Sequence, residues 1–84
     1  MKYAIKFEKR ARRFIYSLSK TQREYILNAI KKLPNQGDIK QLIGHEGVFR
    51  LRIGVYRVIF TKNDEILLIK VIDVGKRGSI YRDW

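Results

Sequence analysis

Arginines alternate with apolar residues around one glycine in residues 48–60, which read Val-Phe-Arg-Leu-Arg-Ile-Gly-Val-Tyr-Arg-Val-Ile-Phe. Successive side chains of a β-strand point to opposite faces, so this pattern predicts strands with an apolar face and a basic face. Planar guanidinium groups bind phosphate oxygens through paired hydrogen bonds. The segment therefore indicates a sheet face that holds an anion.

Short turns would fix the register of these strands. A tight turn at Gly54 places Arg52 opposite Arg57 and lets the apolar residues coincide on the other face. A second tight turn at Asn63 would place Lys70 opposite Arg57. The predicted basic face therefore carries a row of three cations with a fourth alongside: Arg52, Arg57, Lys70 and Arg50.

Such a row needs a physical explanation. Like charges directly opposite each other destabilise a sheet, by up to about 1 kcal/mol for each pair. A bound phosphate is one explanation. The other is that these are solvated positions of a basic protein, whose long side-chain stems cover apolar atoms beneath them.

The segment that follows the last strand is the second informative one. Residues 74–84 read Val-Gly-Lys-Arg-Gly-Ser-Ile-Tyr-Arg-Asp-Trp and place two glycines around Lys76 and Arg77. Such a loop can bring a cation and Tyr81 back over the sheet, where a phenol beside cations can move protons in phosphodiester chemistry. Alternatively, Ile80, Tyr81 and Trp84 form an amphipathic tail that packs on the sheet edge.

The sequence offers few other candidates for catalysis. Histidine is the side chain that ordinarily titrates near neutral pH, which makes His45 a candidate acid or base, although a solvated loop histidine is the commoner outcome. The chain has no cysteine and no patterned carboxylates, and we expect neither a disulfide nor a metal nor another cofactor. No phosphate-binding loop, dinucleotide-binding motif or Ser-His-Asp set is present.

Composition favours an anionic partner. The 84 residues carry 19 Lys and Arg against eight Asp and Glu, a formal net charge of +11. Nucleic acid is the leading inference, with an acidic protein segment or an anionic membrane surface as alternatives. No stretch approaches the roughly 18 apolar residues of a membrane span, and residues 1–6 lack the apolar region of a signal peptide, so we expect a cytoplasmic protein.

The remaining pattern predicts the elements that position these residues. Residues 3–8 alternate as a short edge strand, and residues 11–18 have helical spacing. A second helix is predicted to begin after Ser19, because Ser19-x-x-Gln22 has the capping-box pattern, with Thr21-x-x-Glu24 as a second candidate close behind. It ends at about Leu33 before Pro34.

Residues 38–47 are predicted to form a polar loop, and three strands follow at about 48–53, 55–62 and 65–74. The order β-α-α-β-β-β predicts a single α+β domain over residues 1–84. A two-helix hairpin would pack on one face of an antiparallel sheet of about four strands.

Three segments carry a family pattern: the Arg-x-Arg-x-Gly-x-Tyr-Arg core within residues 49–60, Leu-Ile-Gly at residues 42–44 and Val-Gly-Lys-Arg-Gly-Ser-Ile-Tyr at residues 74–81. Together they resemble the RelE/ParE superfamily of type II toxin–antitoxin toxins. The resemblance implies a small toxin that, in the RelE-like branch, enters the ribosomal A site and cleaves mRNA without a metal. The ParE branch shares the fold, lacks a working nuclease site and poisons DNA gyrase.

The resemblance also implies roles for single residues. Arg57 matches the arginine of the Gly-x-Tyr-Arg element and would contact the scissile phosphate. Arg77 matches the basic residue of the Gly-[Lys/His]-Arg loop and would stabilise charge. Tyr81 matches a tyrosine that in several members orients groups or donates a proton at the cut site.

The general base differs from the family pattern. Well-known RelE members have lysines on the first central strand, where this chain has Arg50 and Arg52. Arginine is effectively always protonated and is a poor base, so these two, with Lys70, are predicted to bind RNA. Lys76 occupies a position that is histidine in many relatives and is the favoured base, with Lys70 and His45 as alternatives.

The resemblance further implies a cognate antitoxin, which the positive charge predicts to be acidic and partly disordered. Three functions stay open: a ribosome-dependent mRNA endonuclease, a gyrase inhibitor and an RNA-binding module without catalysis. The presence of Arg57, Arg77 and Tyr81 together favours the nuclease.

Overall fold

The computed structural model describes residues 2–80 and Trp84. Its elements are β1 (Ala4–Phe7), α1 (Lys9–Tyr16), α2 (Lys20–Lys31), β2 (Asp38–Gln41), β3 (Val48–Ile53), β4 (Tyr56–Asn63) and β5 (Leu68–Lys76). Over these residues the strands form one five-stranded sheet in the order β1-β5-β4-β3-β2. The predicted α+β architecture is confirmed, with one strand more than expected.

The core lies between the helical hairpin and one face of the sheet. Each helix contributes one apolar stripe at helical spacing, Ala11 and Ile15 on α1 and Ile26 and Ile30 on α2. Each of these side chains is at most 1% exposed. They pack against a set of apolar strand residues that includes Leu51, Val58, Phe60, Ile69 and Val71. The predicted start of α2 is confirmed, because the Ser19 side chain accepts a hydrogen bond from the Gln22 backbone N–H.

The prediction of a loop over residues 38–47 was wrong in its first part, where β2 forms. β2 pairs antiparallel with β3, and Asp38 lies opposite Arg52. This edge strand is short and exposed, with Ile39 as its half-buried apolar residue, so its sequence has the polar character of a loop. β1 lies at the predicted edge, but it pairs parallel with β5, and the sheet is therefore mixed rather than antiparallel.

The turn between β4 and β5 is longer than predicted. Residues 64–67 form it, and the Asn63 side-chain oxygen accepts hydrogen bonds from the backbone N–H groups of Glu65 and Ile66 at 3.0 and 3.2 Å. Leu67 completes the turn at a φ of 51°. An asparagine side chain that caps backbone N–H groups in this way stabilises a wider turn than the tight one expected.

This turn, together with a bulge between Ile59 and Phe60, changes the register of β5. Lys70 lies opposite Thr61 rather than Arg57, and Gly75 takes the position opposite Arg57. The predicted row of Arg52, Arg57 and Lys70 was therefore wrong at its third member. The β3–β4 register is as predicted, with Arg52 opposite Arg57. No helix among the described residues is long and apolar enough to cross a membrane.

Candidate functional site

The face of the sheet opposite the helices, called the outer face below, carries the arginines of β3 and β4. The strand register places Asp38, Arg52, Arg57 and Gly75 in one row across β2, β3, β4 and β5. Residues directly opposite each other point to the same face, so these side chains are neighbours. The row is bounded by a carboxylate at one end and a glycine at the other.

Asp38 partly neutralises the basic face. Its Oδ2 lies 3.1 Å from Arg52 Nε, and its Oδ1 lies 3.7 Å from Arg50 Nη1. Arg50 Nη1 also donates to the Asp38 backbone oxygen at 3.2 Å. The carboxylate therefore offsets part of the repulsion between Arg52 and Arg57 and orients both guanidinium groups of β3 toward β2.

Arg57 is 7% exposed, although the sequence placed it on a partly open face. Its Nη1 donates to the backbone oxygens of Gly54 and Tyr56 at 2.8 and 2.9 Å. The guanidinium is thus attached to the β3–β4 turn, and its Nε and Nη2 donors are not used in this attachment. A group held in this way is oriented before any ligand binds.

The chain after β5 returns to the same turn. The Arg77 backbone N–H donates to the Val55 oxygen at 2.8 Å, and the Arg77 side chain is exposed. Ile80 is buried against Gly75, where an added Cβ would lie 3.1 Å from Ile80 Cδ1. A glycine at position 75 is what permits this close approach.

Lys76 and Lys70 lie away from the arginine row. Lys76 is opposite Tyr56, which contributes to the core, so the register directs Lys76 to the helical side of β5. There it lines a cavity of about 310 Å³ together with Arg10 and Phe14 of α1. Lys70 is paired in register with Lys6 of β1 and with Thr61 of β4.

Residues 77–84, called the tail below, carry two of the aromatic residues singled out in the sequence. Tyr81 lies outside the described residues. Trp84 is described, and its ring packs edge to face on His45, with 5.6 Å between the ring centroids. His45 therefore contacts the tail, whereas the sequence placed it in a solvated loop.

Asp73 is a buried residue that the sequence reasoning missed. It is 3% exposed, and its Oδ2 accepts a hydrogen bond from Trp84 Nε1 at 3.1 Å and lies 3.3 Å from Arg10 Nε. The signal that could have revealed it is a single carboxylate within the apolar run Leu-Ile-Lys-Val-Ile-Asp-Val. Among the described residues, no group of three or more His, Cys, Asp or Glu side chains could hold a metal ion.

The chain matches a known protein family over almost its whole length. The family model described as the ParE toxin of the type II toxin–antitoxin system parDE matches residues 1–81. A comparison with curated proteins finds no significant match.

Solved structures of RelE toxins have a similar fold. The archaeal RelE–RelB complex from Pyrococcus horikoshii OT3 contains a chain that is 26% identical with a TM-score of 0.76, and the match covers 94% of this chain and 99% of that one. For the intact Escherichia coli RelBE complex the identity is 28% and the TM-score 0.73, over 88% of this chain and 95% of that one. The match to the RelB–RelE complex from Methanococcus jannaschii has 25% identity and a TM-score of 0.74, and it covers 94% of this chain and 98% of that one. The fold, its outer face and the family match together show that the chain belongs to the RelE/ParE family of toxins from type II toxin–antitoxin systems.

Proposed function

We propose that this toxin is an endoribonuclease that cleaves mRNA on the ribosome, without a metal, and thereby inhibits translation. The observation that carries the proposal is the attachment of two arginines to one turn. Arg57 is held there through its guanidinium and Arg77 through its backbone. The similarity to RelE toxins supports the same function.

The reaction needs positioning and charge stabilisation more than a strong nucleophile. The 2′-oxygen of one nucleotide bonds to the adjacent phosphorus, and the bond from phosphorus to the 5′-oxygen breaks. The 2′-hydroxyl proton passes to a base, and the leaving 5′-oxygen takes a proton from an acid. Negative charge grows on the phosphate oxygens meanwhile, and N–H donors fixed in advance stabilise that charge most effectively.

Arg57 and Arg77 are proposed to contact the scissile phosphate. Arg50 and Arg52, held on the β2 side by Asp38, then bind the RNA backbone further along the outer face. Lys70 extends this basic surface toward β1, where it is paired with Lys6. Guanidinium groups suit this task because they match phosphate geometry and remain charged.

The proton-transfer roles are assigned to the end of β5 and the residues after it. We propose Lys76 as the base on the position that the resemblance gives it; its side chain lies on the helical side of β5, so it would reach the phosphate around the end of the strand. Lys70 lies opposite Thr61, in a separate row, and His45 is packed on Trp84, which makes both weaker candidates. Tyr81 keeps the role of orienting groups or donating the proton that the resemblance implies.

We also propose a cognate antitoxin as a protein partner, beside mRNA and the ribosomal A site. The similar RelE toxins include chains solved in complexes with RelB, and a net charge of +11 favours an acidic, partly disordered segment. Tyr16 and Tyr25 of the helical hairpin are more than half exposed and offer such a segment an apolar surface. An antitoxin that continues from the hairpin around the sheet would also mask the basic outer face.

Replacing Arg57 by lysine tests the site. Arg57→Lys retains the charge but loses the planar donor set that bonds Gly54 and Tyr56, so cleavage of mRNA should fall by about 10²- to 10³-fold. Primer extension on mRNA from purified translating ribosomes measures this change. Arg12→Lys on α1 is the matched control and should cleave as the parent does. Equal cleavage by both variants, each folded by circular dichroism, would remove Arg57 from the site.

A second candidate function is inhibition of DNA gyrase, and the family match favours it because that family is described as the ParE toxin. Expression would then produce gyrase-linked DNA breaks while messages stay intact. The nuclease predicts cleaved messages without such breaks. Measuring both in the same arrested cells separates the two functions.

Lys76→Met and Lys70→Met test the choice of base, since each removes one lysine charge. Loss of a general base should lower the single-turnover cleavage rate by about 10²- to 10⁴-fold for Lys76→Met. Lys70→Met should weaken ribosome binding and leave the rate at saturating toxin within a few-fold of the parent. Equal loss of the saturated rate in both variants would contradict the assignment.

Asp38→Asn tests whether Arg50 and Arg52 bind RNA. Removing the carboxylate charge breaks the ion pairs of both guanidinium groups, so single-stranded RNA should bind more tightly at low salt. The slope of log affinity against log salt should become steeper by about 0.7 for each additional phosphate that the two arginines neutralise. Fluorescence anisotropy over a salt series measures the slope, and Glu65→Gln, in the exposed β4–β5 turn, makes the same charge change. A slope that is identical in the two variants would contradict the assignment.

A further inference from the structure

Asp73 is a buried carboxylate with no place in the proposed chemistry. A carboxylate loses its hydration on burial and must recover that free energy from ion pairs or hydrogen bonds. Arg10 and Trp84 provide these at 3.3 and 3.1 Å, both to Oδ2. Val71, two residues before it, and Val74, directly after it, are buried as ordinary apolar core residues. A valine at position 73 would pack there without the free-energy cost of burying a carboxylate.

Trp84 connects Asp73 with a distant part of the sheet. Its indole N–H is bonded to β5, and its ring packs on His45 in the turn between β2 and β3. In the strand order, β4 lies between β5 and β3. Trp84 therefore bridges parts of the sheet on either side of β4, the strand that carries Arg57.

The tail is fixed at two further points before Trp84. The Arg77 N–H is bonded to the Val55 oxygen, and Ile80 is buried against Gly75. Ile80 packs apart from the main hydrophobic cluster, so its burial depends on local contacts such as that with Gly75 rather than on the central core. Among the described residues after Ile80, the polar contact is the hydrogen bond from Trp84 to the Asp73 carboxylate.

We propose that Asp73 is a positioning residue for the cleavage reaction. Its carboxylate, oriented by Arg10, holds Trp84 and thereby keeps the tail in the conformation that presents Arg77 beside the β3–β4 turn. Asp73 acts through Trp84 and does not touch the RNA. This role rests on the proposed nuclease function, because it assigns Asp73 an effect on the rate of cleavage and not on ribosome binding.

The contact between Asp73 and Trp84 can be tested without measuring cleavage. Trp84 is the only tryptophan in the chain, so its fluorescence reports the tail directly. In Asp73→Asn, loss of the ion pair with Arg10 should shift the emission to longer wavelength and increase quenching by acrylamide, as the indole becomes solvated. Glu65→Gln should leave both unchanged. Unchanged emission and quenching in Asp73→Asn would overturn the proposal.

The role in cleavage is tested by a double-mutant cycle in the purified toxin on ribosomes. Asp73→Asn and Trp84→Phe, which keeps an aromatic ring but loses the indole N–H, should each lower the single-turnover rate by about 10- to 100-fold, as misplaced groups do. The ribosome concentration that gives half-saturation should stay within about twofold of the parent value. The double variant should lose no more of the cleavage rate than either single variant, because both substitutions act on one contact. If Asp73→Asn fails to fold, the rate and half-saturation of Trp84→Phe alone test the positioning role.

Additive losses, or losses confined to half-saturation, would overturn the positioning role. A parent toxin that cleaves no mRNA would instead refute the proposed function. In that case the fluorescence comparison still decides whether Asp73 anchors the tail.

Discussion

The candidate site depends on one short turn, that between β3 and β4. Its Gly54 oxygen accepts the Arg57 guanidinium, and its Val55 oxygen accepts the Arg77 backbone N–H. Gly54 has a φ of 57°, in the region that other residues adopt only with strain. A change in this turn would therefore displace both arginines at once, which couples the strand pair to the tail.

The arginines of β3 and β4 are compatible with a stable sheet because each has a defined counterpart. Arg52 and Arg50 are paired with Asp38, and Arg57 is bonded to backbone oxygens. These contacts reduce repulsion in the free protein and also fix the direction of each side chain. In the proposed function, the contacts that stabilise the face would also prepare it for a phosphate backbone, since oriented donors need little rearrangement on binding.

What could be predicted from the sequence was mostly local. The β3–β4 register follows from a short turn at Gly54 and from alternation on both sides, and the start of α2 follows from the Ser19 cap; both are confirmed. The β4–β5 register depends on the Asn63 side chain and on a bulge after Ile59, which no periodic pattern specifies. Likewise, the contacts of Asp73 with Arg10 and Trp84 join parts of the chain that only the folded sheet brings together.

The central claim is that this toxin makes a ribonucleotide's own 2′-hydroxyl attack the adjacent phosphate. It is tested most directly with two messages on purified ribosomes, one all-RNA and one with a single 2′-deoxynucleotide on the 5′ side of the cut. We expect the toxin to cleave the first, leaving a 2′,3′-cyclic phosphate, and to spare the second at that position alone. Cleavage of both messages at the same rate, or of neither, would contradict the claim.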